Sequence, residues 1–121
     1  MINKTFNAKT EYNYDLDIYS ITSCENIEFG KSLEIEEGII LDFDIDNIPI
    51  AIEILDISKR LKISKNAIKS SNAHMKIKSI DDVLEVCITF FIRTEDKEFK
   101  ETIDSKVINS LNIPEMLFST V

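Results

Sequence analysis

The feature that most constrains the fold is a two-residue alternation of apolar and acidic side chains between residues 39 and 54. Ile39, Leu41, Phe43 and Ile45 occupy alternate positions, with Asp42, Asp44 and Asp46 between them, and isoleucines resume the same period from Ile48 to Ile54. A period of two places successive side chains on opposite faces of an extended strand. Asp46-Asn47 supplies a polar turn between the runs. The segment predicts a β-hairpin whose apolar face includes Ile39, Leu41, Phe43, Ile45, Ile48, Ile50, Ile52 and Ile54.

The same period recurs along the rest of the chain. Alternating runs predict further strands at residues 12–18, 33–36, 75–77 and 84–92, and Phe99, Ile103 and Val107 mark a partner strand over 99–107. The last two runs flank a polar turn, which is typical of an antiparallel meander. The predicted core consists of Ile39, Leu41, Phe43, Ile50, Ile52, Ile54, Val86, Ile88 and Phe90.

One segment departs from the strand period. Beyond Leu55 the apolar spacing lengthens to Ile57, Leu61 and Ile68, which predicts a short helical segment near residues 55–70 with Ser64 as a cap. Polar residues then predict a loop over 66–72. The expected fold class is α+β, mainly antiparallel β-sheet with six or seven strands in hairpins and a meander.

The length of the chain and its apolar runs limit the number of domains and membrane spans that it can contain. With 121 residues it is predicted to form a single domain over 1–121, with subdomains 1–71 and 73–121 around a short loop as an alternative. No apolar run approaches the roughly 18 residues of a membrane span. The two cysteines are far apart and predict no disulfide framework. We therefore expect a cytoplasmic protein with no membrane association.

Charge is unevenly distributed around a net value of −8. Residues 57–80 carry 7 basic residues and no acidic ones, between two acidic segments. The overall sign argues against general nucleic-acid binding, which requires basic residues that neutralise phosphates. Two glycines exclude the common glycine-rich nucleotide loops, and the single histidine, His74, has no companion motif for catalysis.

The acidic hairpin contains a candidate cation site. Asp42, Asp44, Asp46 and Glu53 have the 1, 3, 5 and 12 spacing of a calcium-binding EF-hand loop. Asn47 stands where that loop requires glycine, and the flanking segments are predicted strands instead of helices. A solvated outer strand face is the alternative interpretation. Calcium is the cofactor that this hypothesis implies, and no other cofactor is predicted.

The basic segment is a second candidate contact site. Residues 57–69 resemble the core of a helix-turn-helix, in which a second helix beginning near Ser64 would enter the DNA major groove. A short amphipathic helix packed on the sheet is the alternative. The side chains that would contact nucleic acid or another partner are Lys59, Arg60, Lys62, Lys65 and Lys69.

A family resemblance covers roughly residues 12–61. Gly38 to Asp44 and Ala51 to Ser58 are similar to the hallmark motifs of the family called domain of unknown function 2283, and Asp17-Ile18-Tyr19 is similar to its first strand. The resemblance implies a small β-rich fold and no established activity. This chain has Asn47-Ile48-Pro49 where the family's hairpin turn usually carries a glycine, so the turn geometry is expected to differ.

The functional expectation follows from the exposed strand edges and the apolar residues Met116 to Phe118, which must pack within the chain or against another subunit. We expect a non-enzymatic protein-binding or oligomerisation module, a homo-oligomer and more specifically a dimer. No catalytic residue is nominated. Calcium binding at the acidic hairpin and DNA binding, or an antitoxin-like role, through residues 57–69 remain alternatives.

Overall fold

The computed structural model describes residues 1–25 and 28–120. Within these residues the chain forms ten strands and two short helices. In chain order they are β1 (Ile2–Phe6), β2 (Ala8–Asn13), β3 (Ile18–Ser23), β4 (Phe29–Glu36), β5 (Ile39–Asp44), β6 (Pro49–Ile54), α1 (Ile57–Leu61), α2 (Lys65–Lys69), β7 (Asn72–Ile80), β8 (Val83–Arg93), β9 (Glu98–Ile108) and β10 (Met116–Thr120). None of the helices in the described part of the chain is long and apolar enough to cross a membrane.

The strands form two five-stranded sheets. Sheet I has the order β2-β3-β6-β5-β4 and is antiparallel throughout. Sheet II has the order β1-β10-β7-β8-β9 and is antiparallel except for the parallel pair of β1 and β10. The predicted fold class is confirmed, although ten strands are present among the described residues instead of six or seven.

The two sheets share one apolar core. Buried side chains from both sheets form a single cluster, and the rings of Tyr19 in sheet I and Phe90 in sheet II lie edge to face with centroids 5.2 Å apart. All nine residues predicted for the core are buried. Whether the chain behaves as one cooperative domain or as two subdomains stays a prediction.

The predicted hairpin is confirmed as β5 and β6, with one irregularity. The pairing register shifts between Asp42 and Phe43, and Pro49, which lacks an N–H donor, pairs with Phe43. The shift turns Asp44 inward, to 8% exposure, and leaves Ile45 62% exposed. The prediction that Ile45 belongs to the apolar face was therefore wrong.

The predicted first strand over residues 12–18 was also wrong. The strand β2 ends at Asn13, and the chain turns before β3 begins at Ile18. The Asn13 side-chain oxygen accepts the backbone N–H of Leu16 at 2.9 Å, and Asp17 has a left-handed φ of 56°. A local side-chain hydrogen bond thus competes successfully with the extended conformation that the alternation favours.

The helical segment is confirmed as two helices of five residues each. They are separated at Lys62, which has a left-handed φ of 57°. The Ser64 hydroxyl accepts the backbone N–H of Ala67 at 3.3 Å, as its predicted capping role requires. The loop predicted from residue 66 was wrong in its first part, because residues 66–69 belong to α2.

The second half of the chain contains the predicted meander, as β7, β8 and β9. The pairing of β8 with β9 runs without interruption from Val83–Ile108 to Arg93–Glu98. The apolar segment near the end forms β10 between β1 and β7, where Met116 and Phe118 are buried. These residues pack within the chain, so they do not present an apolar surface to another subunit.

Candidate functional site

A buried carboxylate in the turn between β2 and β3 connects sheet I to the first helix. Asp17 is 5% exposed, and its carboxylate accepts hydrogen bonds from the Tyr12 hydroxyl at 2.7 Å and the Ser58 hydroxyl at 2.6 Å. The Ser58 backbone N–H points to the same carboxylate at 3.1 Å, and the Ile57 N–H donates to the Asp17 carbonyl. Asp56, the residue before α1, makes no capping bond. Asp17 therefore caps α1 from a turn 41 positions away in sequence.

The surroundings of Asp17 favour its charged form. Burial raises the pKa of this carboxyl, but the hydrogen bonds from Ser58 and Tyr12 and the nearby Lys65 charge outweigh burial, so the pKa lies below its usual range. Burial and the hydrogen bond to Asp17 raise the pKa of Tyr12 well above its usual range. Both hydroxyls donate to the carboxylate, so the arrangement is suited to holding α1 in position.

A glycine turn and an arginine fix the other side of α1. Gly38 has a φ of +85°, and a Cβ there would lie 3.0 Å from Nη2 of Arg60. The Arg60 guanidinium donates to the Glu37 carbonyl and lies 3.5 Å from a Glu36 carboxylate oxygen. Arg60, predicted as a contact for DNA or a partner, is thus engaged with the turn between β4 and β5.

The remaining basic residues divide into engaged and free side chains. Lys65 donates to the Tyr14 carbonyl at 3.0 Å, and its ammonium lies 5.1 Å from the centre of the Tyr14 ring, with that of Lys69 at 6.0 Å. Lys59 lies 3.9 Å from Asp56 in an exposed ion pair, and Lys62 is exposed. The structure therefore places the five predicted residues around two helical turns instead of along one helix face.

The four acidic residues of the hairpin have different surroundings. Asp44 accepts the backbone N–H groups of Asp46 and Ile48 with one carboxylate oxygen, at 2.8 and 2.9 Å, which stabilises the β5–β6 turn. Asp42 accepts the Ser32 hydroxyl at 2.6 Å on the outer face of sheet I. Glu53 is exposed on β6, paired with Ile40.

Those acidic residues are not gathered around one point. Among residues 1–25 and 28–120, no group of three or more histidine, cysteine, aspartate or glutamate side chains is arranged to hold a metal ion. The structure explains Asp44 as a turn-forming residue and Asp42 as a cross-strand hydrogen-bond acceptor. Calcium binding at this hairpin stays a prediction.

The longest regular edge in the described structure belongs to β9. This strand has 11 residues and pairs only with β8 in the part of the chain that is described. Its outward face carries Glu98, Lys100, Thr102, Asp104 and Lys106, all exposed. An edge strand presents unpaired N–H and C=O groups to which another strand can bond. This edge is the candidate interaction site.

The fold and these sites define a two-sheet β protein in which the turns of sheet I hold the first of two short helices, α1. Residues 9–58 match the model of a family described as "Protein of unknown function (DUF2283)". The predicted resemblance over residues 12–61 is confirmed by this match. The matched segment covers nearly all of sheet I and ends at Ser58, the residue that contacts Asp17.

One relative extends beyond the family segment. The chain is 28% identical over 107 residues, 87% of this chain and 86% of that protein, to a Methanosarcina mazei protein named "Putative hypoxanthine phosphoribosyltransferase". No solved structure matches the chain. Because the alignment with the relative covers 87% of this chain, it includes strands of both sheets.

Sequence reasoning missed both the Asp17 contact and the β9 edge. The family motif did include Asp17 and Ser58, but nothing in the motif indicated that they touch. The mixed charges of residues 98–106 were visible in the sequence. Their importance depends on β9 lying at a sheet edge, which is a property of strand order.

Proposed function

We propose that the protein is a non-enzymatic protein-binding and oligomerisation module that acts in the cytoplasm through β9, the edge strand of sheet II. The observation that carries the proposal is the unbroken pairing of β9 with β8 along all 11 residues. A regular strand of this length is a template for adding a further strand. Main-chain hydrogen bonds then supply affinity, and the side chains supply selectivity.

The other sheet edges are less suited to strand addition. The pairing of β4 with β5 contains two register shifts, which twist an edge and interrupt its hydrogen-bonding pattern. At the remaining edges, β1 has five residues and β2 has six. Short and irregular edges are among the devices by which proteins avoid unwanted pairing.

The relative's name does not alter this proposal. Phosphate groups are commonly held by glycine-rich loops at helix N-termini. In this chain Gly30 packs against the backbone of Asp44, and Gly38 packs against Arg60. Incubation with hypoxanthine and a phosphoribosyl donor is expected to yield no nucleotide, and turnover that depends on the purified chain would contradict the proposal.

Sedimentation equilibrium tests the binding function directly. The wild-type chain is expected to show an average mass that rises above 13.9 kDa with concentration. A second arm selects extended peptides from a random library and measures whether a bound peptide protects the β9 amides from hydrogen exchange. A mass that stays monomeric, together with no peptide that protects β9, would contradict the proposal.

A further inference from the structure

We infer that the partner of β9 is the β9 strand of a second copy, paired antiparallel about a two-fold axis at Thr102. The inference rests on the proposed binding function of this edge and names its partner and register. Such pairing would join two copies of sheet II into one continuous ten-stranded sheet. Two-fold symmetry is the commonest arrangement of soluble homo-oligomers.

Strand geometry restricts the registers to be compared. Residues that face each other across an antiparallel pair lie on the same face of the sheet. Even-numbered residues of β9 occupy the outer face, because they pair with odd-numbered outer-face residues of β8, including Cys87 and Phe91. A self-pairing register must therefore match even positions with even positions.

The register centred on Thr102 pairs opposite charges. Glu98 then faces the partner's Lys106, and Lys100 faces the partner's Asp104. The symmetry axis repeats both pairs, so four complementary contacts line the outer face. Opposite charges that face each other across strands stabilise pairing, and like charges oppose it. Charges that discourage random pairing of an exposed edge thus select this one partner.

Neighbouring registers lose this complementarity. Moving the centre to Ile103 places Lys100 opposite the partner's Lys106. Moving it to Glu101 places Glu98 opposite the partner's Asp104. Both shifts bring like charges together, so the charge pattern selects the centre at Thr102.

The pattern also continues across the neighbouring strands of sheet II. Within one copy, Lys78 pairs with Glu85, Glu85 pairs with Lys106, and Arg93 pairs with Glu98. Joining Lys106 to the partner's Glu98 completes a row whose charges alternate in sign across the interface. The members of the row are Lys78, Glu85, Lys106, the partner's Glu98 and the partner's Arg93.

The inner face is compatible with the same register. Phe99 would face the partner's Ser105, and Glu101 would face the partner's Ile103. Neither pair brings like charges together. Phe99 and Val107 are only half-buried in the single chain, and a strand added beside them would cover more of their apolar surface.

Charge exchange at the interface provides the first test. Lys100→Asp and Asp104→Lys each place like charges together at two symmetry-related positions and are expected to raise the dimer Kd by about tenfold or more. The double variant restores both pairs with reversed polarity and is expected to return the Kd to within about threefold of wild type. Lys62→Asp makes the same charge change on the exposed helix connection and is expected to leave the Kd unchanged.

Cross-linking provides a second test that reports the register. In a Cys24→Ser, Cys87→Ser background, Thr102→Cys places two thiols opposite each other, within reach of a disulfide. At Lys100→Cys or Asp104→Cys the two equivalent thiols are offset by about 13 Å along the strand, which exceeds that reach. Oxidation is therefore expected to produce covalent dimers rapidly for Thr102→Cys and slowly for the two controls.

Several outcomes would overturn the inference. A monomeric wild-type chain, single charge variants that dimerise as wild type does, or fastest cross-linking at a position other than 102 would each do so. A monomeric chain whose β9 is nevertheless protected by an extended peptide would leave the proposed binding function standing with a different partner.

Discussion

At the scale of single residues, the family motif is explained by positions that shape the chain. Asp17 and Ser58 join a turn to a helix, and Gly38 has a positive φ beside Arg60. The sequence resemblance could indicate these residues but not their contact, because Asp17 and Ser58 are 41 positions apart in sequence. These positions of the segment that matches the family model are thus accounted for by contacts within the fold.

Asp17 is expected to make stability depend on pH. Its pKa is lowered in the folded chain, so the unfolded chain binds more protons as the pH falls. The stabilisation is complete above the unfolded pKa of about 3.9 and is lost as the pH falls through the lower folded value. Near neutral pH, Asp17→Asn is expected to lower the free energy of unfolding by about 1.5–3 kcal/mol.

Urea denaturation at a series of pH values checks this expectation. The difference between wild type and Asp17→Asn is expected to shrink on acidification. Asp15→Asn changes an exposed carboxylate in the same turn and serves as the control, with a stability near that of wild type. An Asp17→Asn difference that is constant at all pH values would contradict the role of its charge.

Variants of Asp44 distinguish a role in stabilising the β5–β6 turn from a role in binding a cation. Asp44→Ala removes the oxygen that accepts two backbone N–H groups and is expected to cost about 1–3 kcal/mol, whereas Asp44→Asn retains an acceptor and is expected to cost less. Thermal melts with and without millimolar calcium are expected to coincide for wild type and for Asp44→Asn. A calcium-dependent rise in the wild-type midpoint that Asp44→Asn abolishes would instead support the cation hypothesis.

At the scale of strands and helices, sequence periodicity correctly predicted the elements that depend on residues close together in the chain. The hairpin of β5 and β6, the meander of β7 to β9 and the Ser64 cap all follow from spacing within a short window. The turn at residues 14–17 was missed because Tyr14 and Leu16 continue the alternation although both are exposed. The register shift between Asp42 and Phe43 was missed because it concerns the pairing of two strands, which the alternation within one strand does not reveal.

The assignment of buried and exposed residues on the hairpin of β5 and β6 predicts the stability of two variants. Ile52 is fully buried, and Ile52→Ala is expected to lower the free energy of unfolding by about 2–5 kcal/mol. Ile45→Ala removes the same side chain from an exposed position and is expected to cost less than about 0.5 kcal/mol. Chemical denaturation of the two variants distinguishes the buried face from the exposed one, and equal costs would contradict the strand assignment.

At the scale of the whole molecule, strand order decides which surfaces are available. The sequence alone offered the apolar residues 116–118 as a reason for oligomerisation, but β10 lies between β1 and β7 and buries two of them, Met116 and Phe118. The same topology leaves β9 at the edge of sheet II. Neither outcome could be predicted from periodicity, because both depend on which strands become neighbours across large separations in sequence.

Hydrogen exchange of the β9 amides in the wild-type chain tests the central claim most directly. In an edge strand paired on one side, alternate N–H groups point to solvent and exchange rapidly. Pairing on both sides is expected to slow exchange at consecutive residues from 98 to 106, with the added protection lost on dilution. Rapid exchange at alternate residues of β9 at every concentration would contradict the account.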